Sequence, residues 1–175
     1  MKKSDWPPSL RLVHWASAAL VVAALGLGTF MVQFVHDPAE RFELTQTHKS
    51  IGITVLALTV ARLCLRIFTN AAKMAHVSLY ALLLVMSLSG WLMATTTPVR
   101  VRTFVFGLVE LPYPLSPDVT IYRIAQTIHV VSAISLTSLV LLHVAAAIIH
   151  TFLWQDRTLA RMLWRRSSAP QTPRI

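Results

Sequence analysis

The chain has one cysteine, Cys64, and that scarcity removes several chemistries at once. An intramolecular disulfide needs two, and so does any C-x-x-C zinc or iron–sulfur motif. Cys64 reads as a small apolar filler. Charge is scarce too: Asp, Glu, Lys and Arg make up 13% of the 175 residues, where a soluble domain has roughly 25%. Acids are the scarcer sign, with 7 Asp and Glu against 16 Lys and Arg. None of them lies within the long apolar runs, so zinc and carboxylate di-metal sites lack ligands there.

The runs themselves are the main feature. Hydrophobic residues are 55% of the chain, and a membrane-spanning helix needs a run of at least ~18 mostly apolar residues. Residues 15–35 and 74–97 meet this cleanly. Residues 124–154 are interrupted only by histidines and an amide, and 50–68 only by Arg62 and Arg66 near the end. The expectation is an all-α integral membrane four-helix bundle. It forms one domain over 1–166, with spans at about 10–35, 47–68, 74–97 and 124–154, and 167–175 as a disordered tail. The start "MKKSDWPPSLRLVHW" is basic, but the apolar run after it exceeds a signal-peptide h-region and no A-x-A-like site follows. A retained first helix is expected.

Basic residues orient such helices. Lys2, Lys3, Arg11, Arg62, Arg66, Lys73, Arg157, Arg161, Arg165, Arg166 and Arg174 fall on one side. Arg41, Lys49, Arg100, Arg102 and Arg123 fall on the other, with Asp37, Glu40, Glu43, Glu110 and Asp118. Both termini are therefore expected in the cytoplasm. The net charge of +9 is mostly this asymmetry; it flanks helices and gives no reason to expect nucleic acid. The longest connection, 98–123, contains "TFVFGLVELPYPL" and is expected at the outer interface, partly covering the bundle.

Orientation sorts the seven histidines. His36, His48 and His129 lie toward the outside; His14, His76, His143 and His150 lie toward the inside. His36 and His76 read as interfacial polar residues. His129 and His143 are 14 residues apart, which is ~21 Å along a helix and within ~40° of the same face. A buried imidazole without a partner is costly in lipid. His14 on the first helix and His48 on the second offer partners at the two depths. By depth alone, His150 is as good a partner for His14 as His143 is. Two histidines on opposite helices suit a porphyrin iron, which brings four nitrogens and leaves two axial positions. Attachment through C-x-x-C-H is excluded by the single cysteine. Ala16, Ala18, Ala19, Ala23, Ala24, Gly26, Gly28 and Gly52 would admit a flat macrocycle, although small residues also simply pack membrane helices closely.

These residues carry a resemblance. The segments "LRLVHW" at 10–15, "THKSIGITVLALTVARLCLR" at 47–66, "AHVSLYALLLVMSLSGWLM" at 75–93, "FGLVELPY" at 106–113 and "HVVSAISLTSLVLLHVAAAIIHTFLWQDRTLARML" at 129–163 follow in order. The chain resembles the bacterial cytochrome b561 family, most closely its superoxide oxidase branch. The register of Trp154, Asp156, Thr158, Leu159 and Arg161 is the most specific part.

The resemblance implies two haems b between the helices. His14 and His143 would ligate the inner iron, and His48 and His129 the outer, which releases His150. It also implies superoxide:ubiquinone oxidoreductase activity, with electrons taken from superoxide outside and passed to ubiquinone inside. A positive outer funnel would speed encounter with that anion, yet the outer bases and acids balance. His150 stands either as a quinone contact or as a polar residue at a helix end. Trp154, Arg62 and Arg66 could neighbour it, the arginines equally serving topology and snorkelling.

Two other readings stay open. One is a cytochrome b subunit linking a separate dehydrogenase or hydrogenase to the quinone pool, which requires a stoichiometric protein partner. The other is a histidine-lined transporter or structural membrane protein. An absorption spectrum of the purified protein is expected to show reduced b-type haem; a colourless preparation overturns both redox readings.

Overall fold

A computed structural model describes residues 7–67, 74–99, 101–155, 159–160 and 162–163, without the side chains of 65–67 and 74–76. The expected disordered tail, the side chains of His76 and Arg66, and the basic positions 2, 3, 73, 100, 157, 161, 165, 166 and 174 lie outside the described residues.

Four helices carry the chain. α1 spans Pro8–Phe34, with proline at its first positions, where the missing N–H is no loss. It ends as Val35 turns extended. Pro38 then opens α2, Pro38–Ile67. Asp37 caps it: its carboxylate accepts from the Glu40 N–H at 2.8 Å. α3 covers Met74–Thr96. A small antiparallel hairpin follows, β1 (Phe104–Val105) and β2 (Val109–Glu110). Its tip turns through Phe106 and Gly107, both at positive φ, a conformation glycine adopts at no steric cost. α4 runs Val119–Phe152, and Asp118 caps it by accepting from the N–H groups of Thr120 and Ile121.

α2 begins earlier than the apolar run that announces it. Residues 39–47 are too polar for a span, but the Asp37-Pro38 start signal makes them helix all the same. Three helices among the described residues are long and apolar enough to cross a membrane: Pro8–Phe34, Val77–Thr96 and Val119–Phe152. α2, at 30 residues, has the length; its charged and amide side chains lower its hydropathy.

Packing is sequential: α1 lies on α2, α2 on α3 and α3 on α4. Among the described residues α4 packs no comparable backbone against α1 or α2. The buried centre is Val21, Val55, Leu83, Met86 and Leu136, contributed by all four helices. Several buried hydroxyls bond back along their own helices, as Ser17 to the Val13 carbonyl and Thr59 to the Val55 carbonyl, which satisfies them inside the apolar interior. The outer surface is apolar, with Val22, Val32, Phe34, Leu141, Leu142 and Ile148 exposed. A surface of this kind fits a lipid solvent and not water.

The two ends of the bundle differ. At one, the α1 start is tied to the chain after α4: Arg11 donates to the Leu163 carbonyl and Trp15 Nε1 to the Met162 carbonyl. At the other, the hairpin is clamped to α2. Gln46 donates to the Arg102 carbonyl at 2.9 Å and accepts from the Phe104 N–H, while Ser50 Oγ accepts from the Phe106 N–H. We call these the terminal end and the hairpin end. Gln46→Ala removes two of these bonds, each worth about 1 kcal/mol. It is expected to speed amide exchange of 103–111 roughly thirtyfold in a mass-spectrometric exchange experiment, leaving the helices protected.

Candidate functional site

Seven residues advance a helix by about 10.5 Å with only ~20° of drift. All four helices use that interval to face the bundle axis at three levels. The hairpin-end level holds Gly28, His48, Gly90 and His129. The middle level is Val21, Val55, Leu83 and Leu136, all buried. The terminal-end level holds His14, Arg62 and His143, with position 76 in register on α3.

At each polar level two imidazoles face each other across the slot beside α4. The His48 and His129 ring centroids are 6.2 Å apart, with planes at 79°. Those of His14 and His143 are 6.5 Å apart, at 61°. Two imidazoles sharing one metal atom at about 2.0–2.1 Å from each nitrogen would have centroids about 6.3 Å apart. Among the described residues no three or more His, Cys, Asp or Glu side chains cluster to hold a metal. A metal in either gap would therefore need equatorial ligands of its own, as a porphyrin supplies.

The hairpin-end imidazoles are seated on glycines. A Cβ built on Gly90 would lie 3.1 Å from His129 Cε1, and one on Gly28 would lie 3.2 Å from His48 Cε1. Any side chain there would push the ring away. The seat also provides an acceptor. His129 Nδ1 lies 2.9 Å from the Met86 carbonyl, four residues before Gly90. Ser89 Oγ, which also donates to that carbonyl, is 3.3 Å from the same nitrogen. Donation from Nδ1 leaves the lone pair on Nε2, the tautomer a metal ligand needs. His48 repeats the arrangement less tightly. Ala24, four residues before Gly28, is the backbone group acting on its ring, yet Nδ1 is buried without a hydrogen bond of good geometry. These seats and the orphaned nitrogen fit imidazoles held for axial ligation.

The terminal-end pair has a different neighbour. Arg62 Nη2 is 3.3 Å from His14 Nδ1, and its guanidinium carbon stands 5.4 Å above the Tyr80 ring. His150 is not in this pair. Its ring meets Trp154 edge-on, with centroids 4.3 Å apart. The choice that depth leaves open between His143 and His150 is thus met by a His14–His143 ring pair.

Three of the expected outer bases have separate partners. Arg41 donates to the Met31 carbonyl. Arg102 pairs with Glu110 at 3.6 Å. Lys49 donates to Thr103 Oγ1 at 3.0 Å; Tyr113, bonded to Thr103 and the Val101 carbonyl, completes that cluster. Arg100 lies outside the described residues.

The sequence reading missed Gly90 altogether, counted Gly28 only as a small residue, and read Arg62 as a neighbour of His150 or a topological charge, where the structure sets it beside His14. The seven-residue interval was the signal that could have found all three, since it puts each at a histidine's level.

The profile of the family described as prokaryotic cytochrome b561 matches residues 5–165. A curated relative, "Cytochrome b561 homolog 2" of Escherichia coli (strain K12), is 30% identical over 169 residues, covering 89% of this chain and 89% of that protein. Gly28→Val is expected to displace the His48 ring and lower haem content in a pyridine haemochrome assay. Gly26→Val is the control, because a Cβ there meets nothing within 4 Å.

Proposed function

The chain belongs to the prokaryotic cytochrome b561 family, and from that membership we propose that it is a superoxide:ubiquinone oxidoreductase holding two haems b. The family is one of bacterial membrane electron-transfer cytochromes that bind haem b. In this chain His48 and His129 hold one haem, and His14 and His143 the other. The observation that carries the reading is the pair of imidazole spacings, 6.2 and 6.5 Å. Bound haem b would supply one-electron exchange between ferric and ferrous iron, and these four histidines would hold it.

α2 is the fourth span, with Lys49 and Arg62 near its two ends. The hairpin end faces outward, and the termini face the cytoplasm, as the Lys and Arg asymmetry supports. Superoxide is a small anion, and Lys49, next to His48 in the chain, is the cation that meets it under the hairpin. The overall reaction balances as two superoxide anions, each losing one electron to become dioxygen. Ubiquinone takes the two electrons and two protons to become ubiquinol. His150, edge-on to Trp154, contacts the quinone: a neutral imidazole can bond a quinone carbonyl and relay a proton.

The test is a rapid mix of superoxide with the purified oxidised protein and ubiquinone. Reduced b-type absorption and one quinol per two superoxide are expected, and no reduction sinks the donor assignment. His129→Ala should remove one haem and keep the other; retention of both sinks the ligand assignment.

A further inference from the structure

We propose that the hairpin is a re-entrant insert, which dips into the hydrocarbon of the leaflet at its end of the bundle and sets its tip against lipid acyl chains. This rests on the bundle spanning a membrane, and on neither the haems nor the substrates. Depth can be followed along α2. The first arm of the hairpin descends beside that helix: Gln46 donates to the Arg102 carbonyl, and Ser50 Oγ, four residues further along, accepts from the Phe106 N–H at 2.9 Å. Ser50 is two residues past His48, about 3 Å nearer the middle level, and about 7.5 Å short of Val55 in that level. The middle level is the centre of the spans, with Val21 halfway along α1 and Leu136 halfway along α4. Half the hydrocarbon of a bilayer is about 15 Å thick. The tip, reached after the chain has descended past Gln46 to Ser50, therefore lies well inside it.

The side chains change with depth as a bilayer does. Arg102 and Glu110, paired at 3.6 Å, mark the mouth of the hairpin. At the tip stand Phe106 and Leu108, 58% and 84% exposed, and no charged residue lies between Phe104 and Val109. In water such a tip is an uncovered apolar patch; in lipid it continues the exposed apolar surface of the helices. The backbone suits the same solvent. Non-helical chain survives at membrane depth only where its polar groups find partners. Gln46 and Ser50 accept from the Phe104 and Phe106 N–H groups, the Val105 carbonyl from Leu108 and the Thr103 carbonyl from Leu111. The helix is served in return. Gln46 and Ser50 lie about 160° around α2 from His48, on the face turned away from the bundle axis. Bare, that face would set Gln46, Ser50 and the neighbouring Lys49 against acyl chains, at a high cost in lipid. Under the hairpin Ser50 is buried, and Lys49 Nζ donates to Thr103 Oγ1 at 3.0 Å.

The experiment places single cysteines in a Cys64→Ala background of the full chain, held in phosphatidylcholine nanodiscs so that both faces meet water. The probe is a charged, water-soluble maleimide, which attacks thiolate. Thiolate does not form in hydrocarbon, so Leu108→Cys should react roughly tenfold more slowly than Arg102→Cys at the mouth. It should be as slow as Leu141→Cys, which is exposed on α4. A phosphatidylcholine with a diazirine in its acyl chain should cross-link to the peptide that holds the tip. Leu108→Cys reacting as fast as Arg102→Cys, while Leu141→Cys stays slow, overturns the re-entrant hairpin. So does a tip that cross-links to a second copy of the chain instead of to lipid, because its cover is then protein. Val109→Cys, also exposed at the tip, gives the same reading where Leu108→Cys does not assemble. Fast reaction at Leu141→Cys overturns the spanning bundle itself, and the hairpin proposal with it.

Discussion

An imidazole inside an apolar bundle must find a partner for each nitrogen, and the arrangement of the four helices follows from that requirement. An unpaired polar group buried this way costs several kcal/mol. At the hairpin end the helices answer chiefly with backbone. Gly28 and Gly90 remove the Cβ that would stand 3.2 and 3.1 Å from the rings. The imidazole edge then reaches a carbonyl that the helix already presents. Met86 O serves in this way for His129, with Ser89 beside it. The other nitrogen of each ring is left for what lies in the slot.

The slot exists because packing is sequential. α1 to α4 contact their chain neighbours closely, while α4 meets α1 and α2 mainly across the facing histidines. A left-handed bundle with a seven-residue interval would ordinarily fill every level with interlocking apolar side chains. Here only the middle level does so, with Val21, Val55, Leu83 and Leu136. The hairpin-end level exchanges packing for glycine and imidazole, and the terminal-end level for imidazole and arginine. The chain thus holds itself together at one layer and at its two ends, by the Gln46 and Ser50 clamp and by the Arg11 and Trp15 ties.

Much of this was legible in the sequence, and the remainder was hidden for definite reasons. Apolar runs located α1, α3 and α4, since hydropathy is a local property. They misplaced the start of α2, because a helix can continue through charged residues once Asp37 and Pro38 have started it. Depth put His129 and His143 at separate levels but could not separate His143 from His150. Two residues seven apart on one helix share a face, and the ring that meets His14 depends on how α1 and α4 sit against each other. Arg62 looked like a topological charge near a helix end. Its place beside His14 depends on α1 lying on α2, a contact between helices that no single run reveals. Only the shared interval across all four helices would have exposed it.

The middle layer bears on what can cross the bundle. A water inside a protein needs two to four polar partners, and Val21, Val55, Leu83 and Leu136 provide none. The nearby hydroxyls of Ser17 and Thr59 are bonded to their own helices. Among the described residues this layer offers water no such set of partners. If both levels hold haem as proposed, electrons can pass this layer where protons cannot. Reduction of a quinone at the terminal end would then have to draw its protons from the water on that side. One imidazole stands beyond the histidine pair on that side: His150, one level past His143 on α4.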